Sequence, residues 1–592
     1  MPIVQALRGW IASAFFVAVP LMVVSVPAAA QLTQEQKVHD FENLVSLFAK
    51  TYAPTEWKKT FLGFDVLNAA PWLDRVRASN SDLDFLDICY QYIAAFRDTH
   101  TAFYFSSSFL ADAGMSVDLY GDRVLIEVID RLRLPTAKFP FRVGDELVAI
   151  DGKPVSEIVA SFVPLVSDAN DRKRARAAVD LLTYRPQQLI PHAVDLGEAS
   201  VFQIRQQDGT VTSYSIPWTK TGFPVTQIGP VTSPKVSVRP AQATAAEDVG
   251  AELHNLSVPL TPGQAHRMEL AARSEAERAA GDEPTVDGAY VGYGSRTPIF
   301  AIPENFVVRR GKVSTDNFFT ATYEVGGKRI GYLRIPSFAP SSTLLALNEL
   351  INEVVYFNAN TDGLVVDVTR NPGGDGCYAN NVLSLLIPTR FTSIGAQIRP
   401  TLRYVNYFQS TLESAKSFGA DAATIQNYTK NLDAITQAYA ENRLSPPLPL
   451  CGATLDVDPL RSGSTLISYA KPLIVLADDF STSAADVFPA IMQDSHRGPI
   501  VGMPTAGAGG TVIGSITTGN YSEAFAYTTT SLLTRKSPVS YPGLPATPYI
   551  ENIGVWPDIY LDYMKQENLL NSGRPYVNDF TGVILGEILK QQ

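Results

Sequence analysis

The chain has 592 residues, of which 45% are hydrophobic and 18% are charged, and its formal net charge is −11. This length is too great for one hydrophobic core and predicts two or three domains, while the negative charge argues against nucleic acid as a partner. Cysteine occurs only three times, and no Cys-x-x-Cys or His-x-x-x-His spacing is present, so we expect neither a disulfide scaffold nor a metal or other cofactor.

The amino terminus has the pattern of an export signal: Arg8, an apolar run over 10–26, and the small residues 27–30 before Gln31. We therefore predict that residues 1–30 are a signal peptide; its removal takes away Arg8 and changes the net charge from −11 to −12. An uncleaved membrane anchor is the alternative, but two prolines and an alanine triplet favour cleavage. The expectation is an exported protein, periplasmic or extracellular, with no stable membrane insertion after the signal is removed.

Residues 31–112 are predicted to form a small helical domain, because apolar residues recur at helical spacing in two stretches, 41–48 and 83–93. The helical pattern ends at Asp98-Thr99-His100-Thr101, where a strand is expected to begin. A lone histidine is more often structural than catalytic, so position alone gives His100 no special role.

Residues 113–221 show alternating patterns bounded by Asp-Gly turns, which predict a small β-rich module. The phrase Gly144-Asp145-Glu146-Leu147 resembles a turn of PDZ domains, which bind an extended peptide by adding it to the edge of a sheet. We interpret the basic residues of a following helix over 170–184 as a solvated face, although they could also meet a peptide carboxylate. These residues are Arg172, Lys173, Arg174 and Arg176.

Residues 222–288 are rich in Pro, Ala, Ser and Glu and contain few large apolar residues. A polar helical stretch over 263–280 interrupts them. This composition predicts a linker or mobile segment between the β-rich module and the last domain.

Residues 289–592 are predicted to form an α/β core, because a strand, a tight turn and a helix follow one another twice. The first unit has the turn Asn371-Pro372-Gly373-Gly374 after strand 364–368, and the second has Ser481-Thr482-Ser483 after strand 473–476. Hydroxyl groups at such a helix entrance lie among unpaired N–H groups and the positive end of the helix dipole. That environment favours an alkoxide or an oxyanion.

The residues alone leave a plainer alternative open at both turns. Ser483 has Asp486 three residues later, which is the arrangement of a helix N-cap. Gly373 and Gly374 equally suit a tight turn without chemistry.

Two further features of the last domain carry no assigned chemistry. A polar helical stretch over 411–443 predicts a hairpin or an insertion that covers the core. A bridge between Cys377 and Cys451 is compatible with an oxidising compartment, but the sequence does not fix it.

Four segments of the chain together resemble one family. They contain Asp98-Thr99-His100-Thr101, the strand and glycine turn over 363–374, Ser481-Thr482-Ser483-Ala484, and the phrase Glu551-Asn-Ile-Gly-Val-Trp-Pro-Asp558. These motifs are similar to those of the C-terminal-processing and tricorn-type serine peptidases, and most similar to those of the chlamydial protease-like activity factor group. The resemblance implies a crotonase-like αββ spiral for the core and a protein or peptide as substrate.

The resemblance also implies catalytic roles: Ser483 as nucleophile, His100 as general base, and Glu551 as the carboxylate that orients His100 or a bridging water. The processing peptidases carry a lysine base in a Gly-Lys-Gly turn, where this chain has Ala508. The base must therefore come from elsewhere. His496 is rejected, because it lies at the far end of the nucleophile helix, roughly 20 Å away at 1.5 Å per residue.

An oxyanion hole is implied at the N–H of Ala484 together with that of Gly374 or Gly373. Members of the activity factor group also carry an internal inhibitory segment, for which 222–288 is the candidate. The alternative function is a catalytically inactive, peptide-binding relative. A lipase or esterase is a weaker third, since no Gly-x-Ser-x-Gly surrounds Ser483. Homodimer formation is left open.

Overall fold

The computed structural model describes residues 31–230, 249–251, 253, 255–257, 262–288 and 294–590. The predicted signal peptide, residues 1–30, lies outside the described residues. Within the described ranges no helix is both long and apolar enough to cross a bilayer. The chain forms a helical domain, a β-rich module and an α/β core, which confirms the predicted fold class.

The amino-terminal helices pack around aromatic side chains and end beside His100. Phe41 and Phe96 each contact Tyr92, with ring centroids 5.1 and 5.0 Å apart. A following strand pairs antiparallel with a strand of the core, Ala524–Thr529, and so ties the domain to it. The elements are α1 (Gln34–Thr51), α2 (Thr55–Leu62), α3 (Ala70–Ala78), α4 (Asp82–Ala94) and β1 (Ala102–Phe105).

The β-rich module has two antiparallel sheets and its own apolar core, which includes Phe141, Leu147 and Phe202. Its elements include two helices, and the second of them contacts the α/β core. The elements are β2 (Leu110–Asp112), β3 (Met115–Tyr120), β4 (Arg123–Asp130), β5 (Glu146–Ile150), β6 (Lys153–Pro154), α5 (Val155–Phe162), α6 (Asp171–Asp180), β7 (Tyr184–Pro186), β8 (Ala199–Arg205), β9 (Val211–Pro217) and β10 (Thr219–Thr221).

Where the sequence indicates a linker, the described residues form β11 (Asn255–Ser257), α7 (Pro262–Ala280) and β12 (Val286–Asp287). The predicted polar helix is thus present. Helix α7 lies against the β-rich module, because Arg267 is 7% exposed and pairs with Asp180 and Glu127. Strand β12 pairs with β4 of the same module, whereas β11 pairs with the glycine turn of the core.

The core is a seven-stranded sheet whose order brings the two predicted turns together. Strands β15, β16, β24, β25 and β30 are parallel neighbours, and β13 and β14 extend the sheet antiparallel. The carboxyl ends of β16 and β24 therefore lie side by side, which is where open α/β sheets place their sites. The elements of this sheet are β13 (Val307–Arg310), β14 (Phe319–Val325), β15 (Lys328–Arg334), β16 (Gly363–Asp367), β24 (Leu473–Ala477), β25 (Ile500–Gly502) and β30 (Ile559–Tyr560).

Helices cover both faces of this sheet, and smaller strands complete the core. The predicted polar hairpin is the pair α10 and α11, and a disulfide joins Cys377 to Cys451. The remaining elements are α8 (Thr343–Asn360), β17 (Gly373–Asp375), α9 (Gly376–Leu386), β18 (Phe391–Thr392), β19 (Gly395–Ile398), α10 (Leu402–Ser417), α11 (Ala422–Ala440), β20 (Leu448–Pro449), β21 (Asp456–Val457), β22 (Arg461–Ser462), β23 (Thr465–Leu466), α12 (Ala484–Asp494), β26 (Val512–Thr517), β27 (Ala524–Thr529), β28 (Ser531–Val539), β29 (Thr547–Tyr549), α13 (Gln566–Leu570) and α14 (Arg574–Leu589).

Candidate active site

Ser483 lies at the entrance of α12 in a strained backbone conformation. Its φ is +64° and its ψ is −111°, a region that residues with a side chain rarely adopt and that costs of order 1–3 kcal/mol. The carboxylate of Asp486 accepts a hydrogen bond from the N–H of Ser483 at 2.6 Å. It also accepts from the N–H groups of Gly507 and Ala508 at 2.8 and 3.1 Å. Burial raises the pKa of Asp486 to about 6.

The loop after the helical domain brings His100 onto this serine. The Nε2 of His100 lies 2.6 Å from the Oγ of Ser483, although the two residues are 383 positions apart in the chain. Both side chains are buried. Asp98 holds the loop, because its carboxylate accepts hydrogen bonds from the N–H of His100 and the hydroxyl of Tyr52, each at 2.9 Å.

The surroundings of His100 favour the neutral imidazole. Burial lowers the pKa of His100 to about 4; Asp98 opposes this shift, and the cations of Lys173 and Lys58 add to it. The ring is therefore uncharged near neutral pH and able to accept a proton at Nε2. Its Nδ1 has no hydrogen-bond partner among the described residues. A buried polar atom of this kind is a normal position for an ordered water.

Glu551 is paired with a lysine that sequence reasoning missed. One carboxylate oxygen of Glu551 pairs with the Nζ of Lys58, and the other accepts from the N–H of Gly509 at 2.9 Å. Lys58 also donates to the carbonyl of Arg97 at 3.0 Å and to Oδ1 of Asn552 at 2.7 Å. Lys58 is fully buried, yet it belongs to a helix whose sequence reads as an ordinary amphipathic turn, so no signal singles it out.

No hydrogen bond joins Glu551 to His100 in the part of the chain that the structure describes. Burial raises the pKa of Glu551 to about 8, with the charge of Asp98 adding to the shift and that of Lys58 opposing it. The carboxylate thus stands beside the His100 loop rather than on the imidazole.

The glycine turn lies directly against Ser483. Gly373 and Gly374 have φ of +90° and +145°, and a Cβ on Gly373 would lie 2.9 Å from the Cβ of Ser483. Glycine is therefore required here both for conformation and for close approach. The N–H of Gly373 donates to Oδ1 of Asn371 at 2.8 Å, so this N–H is used within the turn. The N–H of Thr482 donates to the carbonyl of Asn371 at 3.0 Å and joins the two turns.

Strand β11 covers the glycine turn. Leu256 pairs with Gly374 in an antiparallel register and is fully buried. Ser483 is likewise 0% exposed. The site in this conformation is therefore closed by an extended piece of the same chain.

The basic helix α6 also reaches the turn before Ser483, so the interpretation of its charges as a solvated face is wrong for Lys173 and Arg176. They are 3% and 2% exposed. The Nζ of Lys173 donates to Oγ1 of Thr482 at 3.0 Å, and Arg176 pairs with Asp479 at 2.6 Å. The helix packs over acidic and hydroxyl groups of the core, and these compensate its charges.

The other candidates are placed apart from this chemistry. His496 follows the C-terminal end of α12, at the opposite end of the helix from Ser483. The loop that contains Ala508 supplies backbone N–H groups to Asp486 and no side-chain base. No cluster of His, Cys, Asp and Glu among the described residues could hold a metal ion.

Comparison with known proteins agrees with this geometry. Residues 329–561 match the model of peptidase family S41, and residues 113–224 match that of the PDZ domain. The chain thus contains a region of peptidase family S41 and a PDZ domain, and these findings support a serine peptidase. The family predicted from the motifs is confirmed.

Particular relatives come from Chlamydia. A protein of Chlamydia pneumoniae is 24% identical over 593 aligned positions, which cover 94% of this chain and 90% of that protein. A protein of Chlamydia muridarum is 24% identical over 510 positions, covering 81% and 82%. The solved structure of mature CPAF complexed with lactacystin has a TM-score of 0.69 at 20% identity and covers 94% of this chain and 99% of that one. This similarity shows a shared fold.

Proposed function

We propose that this chain is an exported serine endopeptidase that hydrolyses peptide bonds with Ser483 as nucleophile and His100 as general base. The observation that carries the proposal is the 2.6 Å contact between Nε2 of His100 and Oγ of Ser483. A neutral histidine within hydrogen-bond reach of a serine at a helix entrance is the arrangement that activates a hydroxyl nucleophile.

In the proposed reaction His100 takes the proton of Ser483 as its oxygen attacks the peptide carbonyl. The N–H groups of Gly374 and Ala484 then stabilise the oxyanion. We choose Gly374 over Gly373 because the N–H of Gly373 already donates to Asn371. The imidazolium returns its proton to the leaving amine, and water hydrolyses the acyl-enzyme with His100 again as base.

Glu551 acts in this proposal through a water rather than by direct contact. The Nδ1 of His100 must carry a proton when Nε2 accepts one, and that N–H needs an acceptor. A water between Nδ1 and the carboxyl group of Glu551 would supply it, and Lys58, paired with that group, opposes the rise in its pKa that burial causes.

Strand β11 favours a precursor that becomes active after the segment 222–288 is displaced or cut. It lies along the glycine turn in an antiparallel register, as an extended substrate would, and Ser483 is buried beneath the closed site. The same cover also suits the second candidate, an inactive relative that only binds peptides. Reactivity of Ser483 decides between the two.

The deciding experiment treats the full chain with a fluorophosphonate probe, before and after limited proteolysis, beside Ser483→Ala and His100→Ala. We expect the probe to label Ser483 in the nicked protein more strongly than in the intact protein, and neither variant to be labelled. Absence of label in both forms of the wild type would favour the inactive relative. Full labelling of the intact chain would remove the precursor hypothesis and leave the peptidase.

Export is supported by two independent features. Residues 1–30 have the pattern of a signal peptide, and the disulfide between Cys377 and Cys451 belongs to an oxidising compartment. Amino-terminal sequencing of the protein recovered from periplasm or medium should begin near Gln31. Recovery of the uncleaved chain from the cytosol would contradict the proposal.

A further inference from the structure

Several side chains of helix α6 of the PDZ domain contact the region around Ser483, and one of them is Arg172, whose Nε lies 3.4 Å from Oδ2 of Asp479. The side-chain amide of its N-cap, Asn170, donates to the carbonyl of Thr505 at 3.1 Å. Lys173 donates to Thr482 at 3.0 Å, one residue before Ser483. A PDZ domain that only collected peptides would have no need of buried charges on this face.

Thr482 is the residue through which Lys173 acts. Its hydroxyl accepts from Lys173 and donates to the carbonyl of Phe480 at 2.8 Å, while its N–H donates to Asn371 of the glycine turn at 3.0 Å. Lys173 also pairs with Asp168 at 3.2 Å, which compensates its buried charge. The lysine thus fixes a residue that joins the nucleophile to the glycine turn.

Arg176 fixes the other end of the same turn. It forms two hydrogen bonds with Asp118 of its own domain, at 2.9 and 2.8 Å, and one with Asp479 of the core at 2.6 Å. Its guanidinium lies 4.3 Å from the ring centroid of Phe480. Buried charges cost free energy unless they are paired, so this set is stable only while the two domains stay docked.

We propose that Lys173 and Arg176 are positioning residues of the peptidase site, which hold Ser483 in its strained conformation through Thr482 and Asp479. Docking of the PDZ domain is then a condition for the reactivity of the serine. The effect on reactivity rests on the proposed function, whereas the effect on the turn does not. Neither residue touches the reacting atoms of Ser483 or His100 in the described contacts.

The test compares Lys173→Met and Lys173→Arg with Arg174→Met, a control on the same helix whose side chain bonds within its own domain, to the carbonyl of Val166. The rate of fluorophosphonate labelling is measured against pH in the form of the full chain that the wild type labels. We expect Lys173→Met to be labelled about tenfold more slowly, as for loss of a charged hydrogen bond. Arg174→Met should match the wild type.

The pH profile separates positioning from a merely structural effect. The charged groups that face His100 are Asp98, Lys173 and Lys58. Loss of the Lys173 cation makes protonation of His100 easier, so the acid limb of the labelling profile should move to higher pH in Lys173→Met. Lys173→Arg keeps the charge and should keep the limb in place. If Lys173→Met is labelled at the wild-type rate and the acid limb of its profile does not move, the positioning proposal is overturned. Labelling of the wild type would still support the proposed peptidase function.

A second measurement tests whether Lys173 fixes the turn, even if the wild type is never labelled. Amide hydrogen exchange over 481–486 should be about tenfold faster in Lys173→Met than in Arg174→Met, because the turn opens more readily. Thr482→Val, which removes the acceptor and leaves the lysine, should give the same change and serves if Lys173→Met does not fold. Equal exchange in these variants and the control would overturn the proposal.

Discussion

Elements from two domains meet at the turn that contains Ser483, and they contact it in different ways. The loop of the helical domain makes one direct contact, from His100 to the hydroxyl of Ser483. Helix α6 of the PDZ domain makes its contacts one and four residues before the serine, through Lys173 and Arg176. One domain therefore brings an imidazole to the hydroxyl of Ser483, and the other brings charges that bond to the residues before it.

The difference extends to the charge on the imidazole. Burial dominates and keeps His100 neutral, but Asp98 of its own loop raises the pKa while Lys173 of the PDZ domain lowers it. The charge of Asp98, in the same loop as His100, therefore favours protonation of the imidazole, and the charge of Lys173 opposes it. Substitutions on the two sides should have effects of different size and, for pH, of opposite sign.

The largest effect on activity is expected for substitution of His100. His100→Ala should lower kcat on a protein substrate by about 10⁴-fold with KM nearly unchanged, because it removes the proposed general base. The loss of kcat in Lys173→Met should be about a thousandfold smaller, since only the position of the turn changes. Steady-state kinetics on both variants measure the ratio. Similar losses of kcat in His100→Ala and Lys173→Met would show that His100 and Lys173 do not act in different ways.

At about pH 9, above the raised pKa of Glu551 of about 8, Lys58→Met should destabilise the protein by about 3–5 kcal/mol, because it leaves a charged Glu551 buried without its cation. Urea unfolding can be followed by fluorescence of Trp57, whose indole donates to the carbonyl of Glu551 at 3.1 Å. The control is Lys59→Met on the same helix, whose side chain is 60% exposed and should cost less than about 0.5 kcal/mol.

A loss in Lys58→Met no larger than in the control would mean that Glu551 is protonated and needs no partner. The double variant Lys58→Met with Glu551→Gln tests this directly. It should recover part of the stability, since the uncompensated carboxyl is gone.

The buried state of His100 predicts a pH dependence of folding. Its pKa is lowered by burial from an ordinary value of 6.5 to about 4, so the unfolded chain binds more protons between these values. The stability that this group contributes is complete above pH 6.5 and is lost as pH falls towards 4, by roughly 3 kcal/mol at most. His100→Gln should flatten this part of the curve of unfolding free energy against pH.

His192 provides the matched control for that curve. Partial burial opposes protonation of His192, but the hydrogen bond with Asp195 and neighbouring carboxylates raise its pKa. Its contribution is therefore present at low pH and lost as pH rises. Removing it in His192→Gln should change the curve with the opposite sign, and the same sign in both variants would contradict the assignment for His100.

Sequence motifs predicted one side of this site and not the other, for a physical reason. The proposed nucleophile and base and the close-approach glycine must be particular residue types, so Ser483, His100 and Gly373 could be picked out in their turns, and the structure brings these three residues together. A positioning contact can be made by any buried donor. Lys58 and Lys173 therefore looked like ordinary cations of amphipathic helices, and only the packing of three domains shows that they face inward.

More of the fold than of the long-range contacts could be predicted from the sequence. Strand, turn and helix units indicated an α/β core, and parallel pairing of β16 with β24 explains why their turns meet. Composition suggested a linker where α7 and β12 pack on the PDZ domain, because that packing depends on Arg267 and other long-range ion pairs. No local sequence pattern predicts the pairing of β11 with the glycine turn.

The smallest effect is expected for Asp98→Asn, whose pH profile tests whether the charges of the two domains oppose each other at His100. Asp98→Asn keeps the shape of the side chain, and its amide oxygen can still accept from the N–H of His100, so we expect a loss of about 1 kcal/mol in stability. Removing the negative charge disfavours the imidazolium, so the acid limb of the labelling profile should move to lower pH. Lys173→Met should move it the other way. If both variants shift the limb in one direction, the two domains do not oppose each other at His100, and displacement of the imidazole rather than charge governs both profiles.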